Sequence, residues 1–132
     1  MKINILFYTE KKIAHPYKAA INEYIKRLAR YSKIAVYYLK PHKTKQSTNK
    51  SYTIAITTGL AQISSEMLAT KIIHFSNIGK SNITFVISDT LILADEYLAL
   101  SQFSIDTKLQ TIIVLEQIYR SFRIINNEPY HK

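Results

Sequence analysis

Apolar residues along this chain fall into short compact runs separated by stretches with helical spacing. "KINILFY" (Lys2–Tyr8) is such a run and reads as a first strand. "HPYKAAINEYIKRLARY" follows, with Tyr17, Ile21, Tyr24, Leu28 and Tyr31 at helical spacing and Pro16 in the first turn, where a missing N–H does no harm. Its other face carries Lys18, Lys26, Arg27 and Arg30, so this helix is basic and amphipathic. "KIAVYYLK" (Lys33–Lys40) and "YTIAITT" (Tyr52–Thr58) read as the second and third strands, joined by the polar, unpatterned loop Pro41–Ser51.

"SSEMLATKIIHFSN" opens a second helix. Ser64 and Ser65 are candidate N-caps, Glu66 suits the first turn, and Met67, Leu68, Ile72 and Phe75 make the apolar face. "NITFVIS" (Asn82–Ser88) is a continuous apolar run typical of a buried parallel strand. "LADEYLAL" (Leu93–Leu100) reads as a short helix, with a short strand or loop near Leu98–Ser101. "KLQTIIVLEQIYRSFRII" (Lys108–Ile125) carries more than one apolar stripe, from Leu109, Ile112, Ile113, Leu115, Ile118, Tyr119, Phe122 and Ile125. Such a helix is expected to be buried on two sides, for instance against its own sheet and against a second subunit. Strands alternating with helices predict a single α/β domain over residues 1–132, with a mostly parallel sheet and flanking helices. Ligands of such sheets bind beyond the carboxyl ends of the strands, here Thr57–Gly59, Ser88–Thr90 and Leu98–Phe103.

Charge adds a direction. The net charge is +9, and it is unevenly spread: residues 1–50 hold 12 basic and 2 acidic side chains, residues 51–132 hold 6 basic and 7 acidic. A field concentrated in one part of the chain attracts a polyanion; a lysine-rich solvated surface is the plainer reading of the same numbers. With no cysteine there is no disulfide framework and no thiol nucleophile, which suits a reducing, cytoplasmic setting. No apolar stretch approaches the ~18 residues of a membrane span, and "MKINILFYTE" reads as a strand and not a signal peptide.

Two glycines, Gly59 and Gly79, all but exclude phosphate-cradling loops. The four histidines, His15, His42, His74 and His131, are far apart, so no metal site is expected. His15 reads as a helix-capping residue, His42 as a surface residue, and His74 as a partly buried structural one. At the end of the last helix, Glu116 and Arg120 stand four apart and share a face. They form either a surface ion pair or an arginine oriented by a carboxylate toward phosphate or a base. Tyr130 and His131 follow within a few residues, in a tail whose Asn126 and Asn127 read as a polar exit from the helix. A tyrosine can stack on an unpaired base and a histidine can move a proton near neutral pH.

"LEQIYRSFRIINNEPYHK" (Leu115–Lys132) closely resembles the carboxyl-terminal signature of the bacterial large-subunit ribosomal RNA methyltransferase H family, small SPOUT-class enzymes ending in Glu-Gln-x-Tyr-Arg-Ala and Glu-Pro-Tyr-His-Lys. "INEYIKRLARYSKIAV", "YTIAITTGLAQISSEMLA" and "GKSNITFVIS" resemble the family's first helix, its Ser-Ser-Glu segment and its following strand, so nearly the whole chain is covered. The charged helix that the family places between strands two and three is replaced by Pro41–Ser51.

The resemblance implies a carboxyl-terminal trefoil knot, a homodimer, and methyl transfer from S-adenosylmethionine to N3 of a pseudouridine in 23S ribosomal RNA on the ribosome. It implies that Tyr130, His131 and Arg120 form the catalytic set. It places the cofactor against Ile56, against Ser88 and Asp89, and against the loop of Leu98, Ala99, Leu100, Ser101, Gln102 and Phe103. Ser88 and Asp89 stand where the family has a glycine pair, and "SIDTKLQT" (Ser104–Thr111) stands where it has Thr-x-Pro-His and a later arginine. Two readings therefore follow: the methyltransferase, or a relative that keeps the fold and RNA affinity without methyl transfer.

Overall fold

The computed structural model describes residues 1–9, 12–40, 51–90 and 92–130, with backbone alone at 58–61. Of the sequence expectations, the loop 41–50, with His42, and the tail residue His131 lie outside the described residues. The elements run β1 (Lys2–Tyr8), α1 (His15–Leu28), β2 (Lys33–Leu39), β3 (Tyr52–Gln62), α2 (Ser65–Asn77), β4 (Asn82–Ile87), β5 (Glu96–Ala99) and α3 (Thr107–Ile125). The five strands form one sheet in the order β2-β1-β4-β3-β5, and every pairing is parallel. The α/β expectation holds, and the sheet is wholly parallel.

Strand alternation builds the core. Ile3, Ile5 and Phe7 of β1, Ile54 and Ile56 of β3, and Ile83, Phe85 and Ile87 of β4 point to one face. There they meet Ile21 and Leu28 of α1, Leu68, Ile72 and Phe75 of α2, and Val114, Leu115, Ile118 and Phe122 of α3. All three helices therefore cover that face. β-Branched and aromatic side chains buried on a parallel sheet explain why these strands read as near-continuous apolar runs.

Four local expectations are corrected. Leu93–Leu100 is not a helix: Glu96–Ala99 is the edge strand β5, paired with β3 from Ile54↔Glu96 to Thr57↔Ala99. The run has helix-forming residues, but it is too short for its own hydrogen bonds to outweigh an open edge on β3. His15 does not cap α1; it is the exposed first helical residue, and the N-cap is Ala14, with no side-chain bond. His74 is exposed near the end of α2, and Met67 is 55% exposed and outside the apolar face of that helix, where Ala69 is buried instead. Ser64 does cap α2, its hydroxyl accepting from the Met67 N–H at 3.1 Å.

Candidate functional site

The carboxyl edge of the sheet carries two cavities. One, of about 390 Å³, is lined by Ile56, Leu98, Ala99 and Leu100 at the strand ends, by Ser64, Ser65 and Glu66 at the start of α2, and by Val114 and Gln117 of α3. The other, of about 260 Å³, is more polar and is lined by Thr57, Ser88, Asp89, Thr90, Ser104 and Gln110 around the apolar Ala55, Ile56, Val86 and Ile92. Ile56 touches both. The residues that the resemblance implied for a cofactor are thus divided: Leu98, Ala99 and Leu100 line the first cavity, Ser88 and Asp89 the second. Ser101, Gln102 and Phe103 are not among the lining residues of either; the Ser101 hydroxyl accepts from the Phe103 N–H at 3.0 Å, and the Phe103 ring is 81% exposed.

Ser88 and Asp89 raise the question of fit, since glycine lets a backbone approach a ligand more closely than any side chain does. Here the Ser88 hydroxyl is turned toward Thr90, accepting from its N–H at 3.2 Å and lying 3.1 Å from its hydroxyl. Asp89 is exposed. Neither side chain closes the cavity between them, so an adenosine-bearing donor is compatible with this edge.

The tail is built into the fold. α3 ends in a Schellman turn: Asn127 adopts φ 53°, the Glu128 N–H donates to the Arg123 carbonyl at 2.8 Å, and the Asn127 N–H to the Ile124 carbonyl at 3.1 Å. Asparagine tolerates this left-handed conformation better than most residues. The turn swings Glu128 back against the helix, where Arg123 donates to it at 2.7 Å, the Tyr31 hydroxyl donates at 2.7 Å, and Arg30 stands at 3.3 Å. Arg123 also donates to the Pro129 carbonyl at 2.7 Å. Sequence reasoning missed this clamp; the signal available was Asn-Asn directly after a helix, which marks a left-handed cap.

The clamp delivers Tyr130 onto α3. Its hydroxyl donates to Glu116 Oε1 at 3.2 Å, its ring packs edge-on against Tyr119 at 5.1 Å, and the Arg120 guanidinium lies 5.1 Å from its centroid. Arg120 donates to the same carboxylate oxygen from Nε at 3.1 Å and from Nη2 at 2.9 Å. Glu116 Oε2 accepts from Gln117 at 2.7 Å, and Gln117 in turn accepts from Ser65. Since Ser65 and Gln117 line the larger cavity, a hydrogen-bonded chain joins that cavity to Tyr130 and Arg120. Burial, the Glu116 carboxylate and the neighbouring Tyr24 push the Tyr130 phenol up to about 12. It therefore stays protonated near neutrality and acts as a hydrogen-bond donor. Of the three catalytic candidates, Tyr130 and Arg120 are together, and His131 is outside the described residues.

Around this cluster α1 contributes cations and rings. Arg27 lies 5.7 Å from the Tyr24 centroid and 5.9 Å from that of Tyr119, and Arg30 lies 4.8 Å from that of Tyr31. The basic face of α1 therefore adjoins the tail. Among the described residues there is no group of three or more potential metal-ligating side chains, and no helix is long and apolar enough to cross a membrane.

Known proteins match this chain almost end to end. A family profile described as "Predicted SPOUT methyltransferase" matches residues 1–131. A Methanococcus maripaludis protein is 37% identical over 159 aligned positions, covering 98% of this chain and 100% of its own. A Thermoanaerobacter protein named ribosomal RNA large subunit methyltransferase H 1 is 38% identical over 129 residues, covering 96% of this chain and 97% of its own. An Alkaliphilus oremlandii protein named ribosomal RNA large subunit methyltransferase H is 33% identical over 159 positions, covering 98% of this chain and 100% of its own. The chain thus aligns with a relative of its own length as well as with longer ones.

Proposed function

The chain belongs to the SPOUT methyltransferase family, and on that premise we propose that it methylates N3 of a pseudouridine in 23S ribosomal RNA, with S-adenosylmethionine as donor. The observation that carries this reading is the hydrogen-bonded chain from the cavity at the sheet edge, through Ser65, Gln117 and Glu116, to Tyr130 and Arg120. Such a chain relates a small-molecule site to a basic, aromatic surface suited to nucleic acid.

When bound, S-adenosylmethionine supplies an electrophilic methyl group. Ile56, Ser88, Asp89 and the segment Leu98–Phe103 are the residues we assign to holding it. Arg120, oriented by two bonds to Glu116, brings its positive charge to phosphate or to a base carbonyl. Tyr130 donates a hydrogen bond and presents a ring face against which a base can stack. We assign His131 to the proton released from N3. With so few groups, most of the rate is expected from alignment of donor and acceptor.

The same reading includes the family's trefoil knot and a homodimer. The dimer is supported by α3, where Leu109 is 44% exposed and Ile112 and Ile113 are only half-buried in a single chain. A relative that keeps the fold without methyl transfer is not favoured. Ser88 and Asp89 leave the cavity open, and relatives matched over almost their whole length are named methyltransferases. The test is transfer of labelled methyl from S-adenosylmethionine to ribosomes that lack the modification, with the product nucleoside identified by mass spectrometry. N3-methylpseudouridine is the expected product; absence of any labelled nucleoside refutes the reading.

A further inference from the structure

Gln117 stands between the larger cavity and the tail, and both ends of its amide are committed. Its Oε1 accepts from the Ser65 hydroxyl, and its Nε2 donates to Glu116 Oε2 at 2.7 Å. The amide has one workable orientation, because the reversed one would set its carbonyl oxygen against the Glu116 carboxylate. Ser65 lines the cavity from α2 and Gln117 lines it from α3, so the relay bridges two helices. Ser64, not Ser65, caps α2, and the Ser65 hydroxyl is therefore not needed to close that helix.

Glu116 joins the two halves. Its Oε2 takes Gln117; its Oε1 takes Arg120 through Nε at 3.1 Å and Nη2 at 2.9 Å, and the Tyr130 hydroxyl at 3.2 Å. The Glu116 side chain is only 17% exposed, so water competes little for these positions. A carboxylate is rigid: turning it to follow a donor at one oxygen moves the other. A shift of Gln117 is therefore passed to the guanidinium and the phenol. A molecule that fills the cavity packs against Ser65 and Gln117 and confines them to this arrangement. We propose that Ser65 and Gln117 are positioning residues, which transmit filling of the cavity to Glu116 and so set Arg120 and Tyr130 to receive the RNA base. The proposal rests on the methyltransferase reading for the identity of the molecule that fills the cavity. By linkage, methyl donor and RNA then strengthen each other's binding through the relay.

Hydrogen exchange on the full-length chain tests this, read at the Asn127 and Glu128 amides, whose bonds to Ile124 and Arg123 hold the tail. S-adenosylhomocysteine is the probe, used at saturation for each protein so that a change in affinity does not count. Gln117→Leu and Ser65→Ala break the relay, and Ser65→Thr keeps the hydroxyl. The probe is expected to slow tail exchange roughly 5-fold in wild type and in Ser65→Thr, and not at all in the other two. Methyl transfer to ribosomes at saturating donor should fall roughly 10-fold in Gln117→Leu and Ser65→Ala, a loss in kcat and not in donor KM. Should Gln117→Leu melt early, Ser65→Ala decides by itself. Equal slowing in wild type and both relay variants overturns the proposal and leaves the methyltransferase reading standing. So does a wild type that binds the probe without any slowing of its tail. A raised donor KM with unchanged kcat also overturns it, since the two residues then merely line the cavity. If wild type binds no probe, the proposal and the methyl-donor reading fall together.

Discussion

Tyr130 donates its phenolic hydrogen to Glu116 Oε1 at 3.2 Å, from a tail that is only two residues short of the chain's end. The same oxygen receives Arg120 at 2.9 Å, so one carboxylate sets both an aromatic ring and a guanidinium. The tail is held at Glu128 by Arg30, Tyr31 and Arg123, and at Tyr130 by Glu116 and Tyr119 of α3.

Tyr130→Phe removes the hydroxyl and keeps the ring. Donor binding is expected to stay within about twofold of wild type, while the rate of methyl transfer drops by about 10-fold, the loss of one charge-assisted hydrogen bond. Single-turnover transfer on ribosomes measures the rate, and calorimetry measures the binding. A wild-type rate removes the hydroxyl from the site.

Glu128 holds the tail through Arg123, Tyr31 and Arg30. Arg123 and Glu128 are 17% and 23% exposed at their side chains, so their pairing is less screened than a surface bridge. Glu128→Ala is expected to lower the stability of the chain, because Arg123, Tyr31 and Arg30 all lose their shared carboxylate partner. It should also raise amide exchange at Asn127 and Glu128, whose N–H groups close the helix cap. Urea unfolding and hydrogen exchange by mass spectrometry read the two effects; unchanged exchange in the tail would falsify the clamp.

Asn127 supports a φ of 53°. Asn127→Gly is expected to be neutral or mildly stabilising. Asn127→Val is expected to cost about 1–2 kcal/mol, since a β-branched residue resists the left-handed region. Thermal melts of the two variants give the comparison, and equal melting temperatures would mean that the turn has another conformation in solution.

Tyr130 titrates at about 12 in the folded chain, above the ordinary tyrosine value of 10.0. The folded state thus holds the phenolic proton more tightly than the unfolded state does. The stabilisation from this group is complete below pH 10 and is lost as pH rises from 10 through about 12. The stability difference between wild type and Tyr130→Phe should therefore shrink across that interval. Tyr8, Tyr38 and Tyr52 are also raised, by burial and in Tyr52 additionally by Glu96, but they are common to both proteins and cancel in the difference. Urea midpoints at pH 9, 10, 11 and 12 read the effect, roughly spanning both values; a constant difference contradicts it.

How much was legible varies by residue. Ile3, Ile5 and Phe7 or Ile83, Phe85 and Ile87 announce buried strands because the two-residue period of a strand and the apolar demand of a covered parallel sheet coincide in them. The helical spacing of Ile21 and Leu28, and of Leu115, Ile118 and Phe122, is likewise a local property. Of Glu96–Ala99 only the end was legible, as a short strand or loop near Leu98–Ser101; the rest reads as helix, since four residues with helix-forming neighbours carry no period, and the free edge of β3 makes them a strand. Glu116 and Arg120 could be paired from their spacing, because a helix brings positions four apart together.

By itself, then, the sequence determined the element types, the parallel α/β class, the uneven charge and the tail signature, all of which depend on near neighbours in the chain. Only the tertiary structure decided which groups meet. Tyr31 and Glu128 are 97 positions apart and share a hydrogen bond of 2.7 Å, and Ser88, Asp89 and Gln110 face one cavity from two different elements. Contacts at such separations come from the packing of α1 on α3 and from strand order in the sheet, and no local pattern encodes them.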